Sequence, residues 1–122
     1  MDIDEYLKGI LCQILDSYKI LVELDDTPND LDIIKKETSK INGLLHVINN
    51  KLNEKKHQSD HLVTLRKLSK YYIATYDYSR EIEYVLEIYG NDPNRIKNLR
   101  ILIINSLNDK RMIEKIQNIL DE

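Results

Sequence analysis

The sequence predicts an all-α protein built from antiparallel helical hairpins. Three observations lead there. Apolar residues recur at spacings of three and four along nearly the whole chain, the pattern of helices with one buried face. There are only three glycines and two prolines, too few for the many turns of an all-β chain. The two prolines follow Thr27 and Asp92, so each pairs a capping residue with Pro at a first helical position. The expectation is five to six helices in a single domain spanning residues 1–122. Residues 1–56 would form a long N-terminal hairpin and residues 60–122 shorter tyrosine-rich hairpins. The alternative is an irregular four-helix bundle in which helices over 60–90 and 94–121 bend without breaking.

Helix 1 is expected over Asp2–Leu24, with Asp2 and Glu5 in a capping arrangement. Ile3, Leu7, Ile10, Ile14 and Leu21 form one row, which Leu11, Leu15, Tyr18 and Val22 widen. An apolar arc that wide, roughly 180°, implies contact with two or more neighbouring helices. Cys12 falls on the polar side and is read as an inert thiol. In Asp25-Asp26-Thr27-Pro28-Asn29-Asp30, Thr27 is the expected cap, Pro28 the first helical residue, and Asp30 complements the positive helix end. Helix 2 then runs to about Lys55. Leu31, Ile34, Thr38, Ile41, Leu45, Ile48 and Leu52 make a seam sustained over about three heptads. The short connection makes helices 1 and 2 an antiparallel hairpin whose seam packs internally. A homodimer built on that seam is the rival reading. Gly43 and His46 fall off the seam, so His46 is expected in solvent. The polar run from Lys55 ends in Ser59 or Asp60 as the cap of helix 3.

Residues 62–94 hold six of the eight tyrosines. Leu65, Leu68, Tyr72 and Tyr76 share one helical arc, and Tyr78, Ile82, Val85 and Tyr89 another. The arcs are offset by about 140°, so a single straight helix would bury nearly opposite faces in its two halves. A break near Tyr76–Ser79 removes the conflict, with Asp77 and Ser79 as candidate caps. The stretch therefore reads as two short helices folded against each other. Gly90 is expected as a left-handed stop and Asp92-Pro93 as the next start. The following helix buries Ile96, Leu99, Ile103 and Leu107. The last uses Met112, Ile113, Ile116, Ile119 and Leu120 in a shifted arc, with Asn108-Asp109 supplying turn and cap chemistry between them.

On these residues the stretch 62–94 resembles one tetratricopeptide repeat of about 34 residues. Leu65, Leu68 and Tyr72 match large positions of that family's first helix. Asp77-Tyr78 matches the turn, Ile82-Glu83-Tyr84 the second helix, and Asp92-Pro93-Asn94 the terminal motif. Ser69 stands at the first small position, whereas Tyr76, Glu81 and Ile88 replace the family's small residues. The resemblance covers about a quarter of the chain. It implies a TPR-like helical pair that holds a peptide or a partner protein in a groove.

Composition narrows the function classes. Hydrophobic content of 42% with 32% charged residues suits a soluble globular protein. No apolar run approaches the ~18 residues of a spanning helix, so no membrane role is expected. The acidic N-terminus gives no sign of a secretory signal, and the lone cysteine cannot form an internal disulfide. The expected setting is cytoplasmic, or a host cytoplasm for a viral protein. The net charge of −3 is uneven: residues 1–34 carry nine acids and two bases. That acidic segment is expected to lie near basic side chains of later helices.

His46, His57 and His61 are the histidines, and no HExxH, cysteine pair or glycine-rich phosphate loop accompanies them. The reading is non-enzymatic, with no metal and no cofactor. Two basic groups bear on nucleic acid: Lys51, Lys55, Lys56, Arg66, Lys67 and Lys70, and then Arg95, Lys97, Arg100, Lys110 and Arg111. Interspersed acids and an acidic whole argue against it, although a nucleic-acid-binding subunit stays as a third reading. Tyr71 and Tyr84 fall off the main apolar arcs. With Arg66, Lys67 and Lys70 they are the candidate partner-binding residues, because tyrosine and arginine dominate binding hot spots. The leading expectation is a small protein–protein interaction module. The second is a phage, viral or bacterial inhibitor or immunity protein that blocks its partner stoichiometrically, an idea to which the AT-rich character of the Ile, Lys and Asn usage contributes.

Overall fold

The computed structural model describes residues 5–54 and 59–121. Six α-helices follow one another: α1 (Glu5–Glu23), α2 (Asp30–Asn53), α3 (Asp60–Thr75), α4 (Ser79–Ile88), α5 (Pro93–Asn108) and α6 (Met112–Leu120). A single 3-10 turn, Asp109–Arg111, joins the last two, and no strand occurs among the described residues. The all-α hairpin class is thus the observed one. Expected features at Asp2, Ile3, Lys55, Lys56 and His57 lie outside the described residues.

The α2 seam is internal. Leu31, Ile34, Ile41, Leu45, Ile48 and Leu52 are all buried, and α1, α3, α4 and α5 each pack against this helix. Leu7, Ile10, Leu11, Ile14 and Leu21 of α1 complete the first hairpin interface. One polar contact sits inside it: the Ser17 hydroxyl donates to Glu37 Oε2 at 3.1 Å, with both residues buried. α6 closes the other side, against α1, α3 and α5, through Met112, Ile113, Ile116 and Ile119. The buried apolar side chains of all six helices form one continuous core.

Both proposed breaks are real, and the unbroken four-helix alternative is overturned. Residues 76–78 leave the helix between α3 and α4, where the two apolar arcs come out of phase. Asp77 Oδ1 accepts from the Ser79 backbone N–H and hydroxyl, at 3.0 and 2.6 Å. Asp77 therefore supports the new helix, and Ser79 is its first residue rather than its cap. Between α5 and α6, Lys110 and Arg111 both take left-handed backbone, φ 52° and 59°. Asp92 caps α5 as expected, accepting from Asn94 and Arg95 N–H with Pro93 behind it, and Ser59 caps α3.

Several expectations are corrected. Thr27 does not cap α2; the Asp30 carboxylate instead turns back to accept from Asp25 and Thr27 N–H at 3.0 and 3.2 Å. Pro28 lies in the turn, one residue before Asn29 and ahead of the first helical residue. Gly90 is not left-handed. A Cβ there would meet the Leu86 carbonyl oxygen at 3.0 Å, so glycine serves close approach and not handedness. Val22 is 45% exposed although its arc predicts burial, because the end of α1 is met at its carbonyls and not at this side chain. Finally, α4 packs on α2 and α5 rather than folding back on α3. Glu81 and Ile88 stand where small residues would permit close pairing of two helices, and both face outward.

The acidic first segment does meet a later base. Arg100 Nε and Nη2 grip both carboxylate oxygens of Asp26 at 2.6 and 3.1 Å. Its Nη1 donates to the free carbonyls of Leu21 and Val22 at the end of α1, each at 3.3 Å.

An internal seam makes a specific demand on stability. Leu45→Ala, at a side chain with no exposed area, should cost about 3 kcal/mol in urea unfolding, the usual range for a buried leucine. Its midpoint should not depend on protein concentration. A midpoint that rises with concentration would place the seam between two chains instead.

Candidate functional site

The tyrosines converge on the two breaks. Tyr76, at the end of α3, contacts three other rings: Tyr71 edge-on with centroids 6.3 Å apart, Tyr72 at 5.1 Å and Tyr78 stacked at 6.1 Å. The node is anchored from the far end of the chain. Asp109 Oδ2 accepts the hydroxyls of both Tyr71 and Tyr76, each at 2.6 Å. Tyr72 reaches Ser106 Oγ at 3.2 Å, and the Tyr78 hydroxyl points toward the Leu102 carbonyl. A cleft of about 90 Å³ opens on the α2 side of this node, bounded by Thr38, Asn42, Tyr72, Tyr76, Asp77 and Tyr78. A shallower one of about 330 Å³ lies on the α5 side, where Tyr76 and Tyr78 face Leu102, Asn105 and Asn108.

The electrostatics hold protons on the hydroxyls of Tyr71, Tyr72 and Tyr76. The hydrogen bond to Asp109 raises both Tyr71 and Tyr76 above the ordinary tyrosine value, and burial pushes Tyr72 up to about 12. Reciprocally, the Tyr71 and Tyr76 hydroxyls hold the Asp109 carboxyl below its usual range. A tyrosine acting as base or nucleophile needs the opposite shift. The hydroxyl protons are already committed to Asp109, Ser106 and the Leu102 carbonyl, so the node offers ring surface and is poorly suited to proton abstraction.

The candidate partner-binding residues separate into two places. Arg66, Lys67, Lys70 and Tyr71 lie within little more than one turn of α3, with Lys67 and Lys70 exposed and Arg66 and Tyr71 half-buried. Tyr71 is less free than its position off the arc implied, because Lys110 Nζ also sits 3.9 Å from its ring centroid. Tyr84 stands apart on the outer side of α4, 50% exposed, with Ile88 one turn on at 59%. Its ring meets Tyr89 at 5.5 Å, and the Arg95 guanidinium lies 4.1 Å from the Tyr89 centroid. The structure also divides the second basic group: Arg95 goes to Tyr89, Arg100 to Asp26, and Lys110 to Tyr71. Lys51 lies over Tyr6, at the other end of the molecule's first hairpin.

Sequence reasoning missed Asp109 as the anchor, since 33 and 38 residues separate it from Tyr76 and Tyr71. It also missed Ile88 and Tyr89 as neighbours of Tyr84. Cys12, His46 and His61 are exposed, and no group of three or more metal-ligating side chains forms among the described residues. No helix among them is long and apolar enough to cross a membrane. No family model, curated protein or solved structure matches the chain.

The Asp109 anchor has a pH signature. Its folded-state pKa is depressed, so the stabilisation is complete above the unfolded value near 3.8 and is lost as pH falls through the lower folded value. Asp109→Asn should therefore melt below the wild type at neutral pH, with the gap closing below about pH 4. Thermal melts by circular dichroism across that range check this. A gap that persists undiminished into strong acid would mean the carboxylate charge is not what the tyrosines use.

Proposed function

We propose that the protein is a non-catalytic protein-interaction module of the cytoplasm, binding through the outer face of α4. The observation that carries this reading is the exposure of Tyr84 and Ile88, an aromatic and a branched aliphatic side chain one turn apart on a rigid helix. The inner face of the same helix is anchored by Ile82 and Val85, so presenting the pair costs little ordering on binding. Tyr89 and Arg95 extend the patch with a second ring and a guanidinium, the side-chain types that dominate interface hot spots. Arg80, Glu81 and Glu87 provide a polar rim around it. The tyrosine node supports the same reading from a different side: its hydroxyls are tied to Asp109, Ser106 and the Leu102 carbonyl, and its role is to hold α3, α4 and α5 in fixed relation.

The test is comparative capture from cells of the natural host. The wild-type chain should retain a stoichiometric partner that Tyr84→Ala/Ile88→Ala loses, while the double variant keeps its melting temperature within about 2 °C, as expected of exposed positions. Unchanged capture by that variant would remove α4 as the interface.

A further inference from the structure

We infer that α6 is an exchangeable helix, and that the apolar bed it occupies on α1, α3 and α5 also receives α6 from a second copy of this chain. The turn that joins it to α5 is strained. Lys110 and Arg111 take left-handed backbone in succession, at φ 52° and 59°. Side chains with a Cβ disfavour that conformation, and the chain has no glycine or proline after Pro93. Lys110 and Arg111 are instead good formers of right-handed helix. The local sequence therefore favours a continuous helix where the closed molecule has a reversal.

The helix itself is docked by apolar contact alone. Met112, Ile113, Ile116 and Ile119 are buried against α1, α3 and α5. Among the described residues, no side chain of α6 makes a hydrogen bond or ion pair to another helix; Glu114 bonds Arg111, in the turn. Other helix pairs do have such ties. Ser17 reaches Glu37 between α1 and α2, Lys35 reaches Glu83 between α2 and α4, and Tyr72 reaches Ser106 between α3 and α5. An identical helix from another molecule reproduces every contact that α6 makes with its bed.

Helical phase selects a second copy as the occupant. With the turn straightened, one helix runs from Pro93 to Leu120. Along it, the face of Ile96, Leu99, Ile103 and Leu107 and the face of Met112, Ile113, Ile116 and Ile119 lie roughly 150° apart. The first face stays on its own core, so the second turns away and is covered by another molecule. Two copies satisfy this reciprocally, each α6 filling the bed the other has left, in a closed two-fold pair. A short hinge under strain is the setting in which chains exchange elements. What opposes opening is the tether of Asp109 to Tyr71 and Tyr76, with Lys110 over the Tyr71 ring. The chain's own α6 also competes, at an effective concentration on the order of millimolar. The closed chain therefore dominates at micromolar concentration, and the exchanged pair forms as the protein is concentrated.

The full-length chain is concentrated to about 1 mM, close to that effective concentration. It is warmed to the foot of its melting transition, cooled, diluted, and passed through size exclusion with light scattering. The wild type should give a species of twice the 14.5 kDa of one chain beside the monomer. That species should persist after dilution in the cold and revert on rewarming, because return requires α6 to undock. Asp109→Asn, checked as folded by circular dichroism, weakens the tether and should raise the dimer share about three-fold or more. Lys110→Gly/Arg111→Gly removes the left-handed cost and disfavours the continuous helix, so it should lower the share by about as much. Mere loosening of the turn, through loss of the Lys110–Tyr71 contact, would act in the opposite direction. Tyr84→Ala/Ile88→Ala should dimerise as the wild type does, which keeps the exchange distinct from binding through α4. The inference is overturned if the wild type forms no dimer, or if the glycine variant leaves the share unchanged or raises it. A dimer that falls apart at once on cold dilution would also overturn it, in favour of simple contact between surfaces.

Discussion

The line of side chains from Leu31 through Ile34, Glu37, Ile41, Leu45 and Ile48 to Leu52 runs the length of α2, and α1, α3, α4 and α5 are placed by having to cover it. α1 takes one flank and α3 the other, while α4 and α5 complete the enclosure. A line of large aliphatic residues without exposed area offers strong stabilisation, of the order of 2 kcal/mol per side chain by area burial. It specifies little about angle or register, since leucine and isoleucine repack readily. The Ser17–Glu37 bond supplies a directional contact in the middle of this interface. Sliding α1 along α2 would strand a buried carboxylate without its donor, which costs more than an equal loss of apolar contact.

Two polar clamps secure the connections that the apolar core does not control. Arg100 holds the α1–α2 loop by Asp26, and Asp109 holds the α5–α6 turn by Tyr71 and Tyr76. The left-handed non-glycine residues among those described are Asp26, Lys110 and Arg111. One of them is a clamp residue itself and the other two immediately follow one. Each left-handed residue costs about 1–2 kcal/mol, and charge-assisted hydrogen bonds are the interactions strong enough to offset this. Strain and clamp therefore belong together: the bonds permit turns that the local sequence disfavours.

This division explains what was legible in the sequence. Helical phase is a one-dimensional property, and where it governed, the reading matches the structure apart from Val22 at the end of α1. The α2 seam, the change of face between Tyr72 and Ile82, and the second change between Leu107 and Met112 are all visible as spacing. Capping at Ser59 and Asp92 is local and was equally readable. At Thr27 the reading failed because the helix begins later, at Asp30, whose backbone N–H is taken by the Thr27 carbonyl while its carboxylate accepts from Asp25 and Thr27 N–H. Gly90 misled because glycine answers two needs, handedness and space, and only the neighbouring Leu86 carbonyl distinguishes them. The Asp109 node depends on which helices become neighbours, and spacing along one helix carries no information about that. Charges grouped by sequence consequently scattered, with Arg95 on Tyr89, Arg100 on Asp26 and Lys110 on Tyr71.

The absence of phenylalanine and tryptophan gives the tyrosines a double duty. A core phenylalanine at position 76 would fill the same space, but it could not tie the end of α3 to Asp109. With tyrosine there, the packing residue is also the tether, and the outer faces of α3 and α4 on either side of the break are held in one fixed arrangement. That matters for a protein that works by contact, because a surface whose parts are already fixed relative to one another loses less entropy when a partner docks. Tyr84 lies outside this arrangement, with its hydroxyl beside Tyr89 and half its area exposed. The same residue type thus serves in the node as a tether and on α4 as a face, and the neighbouring carboxylate decides which.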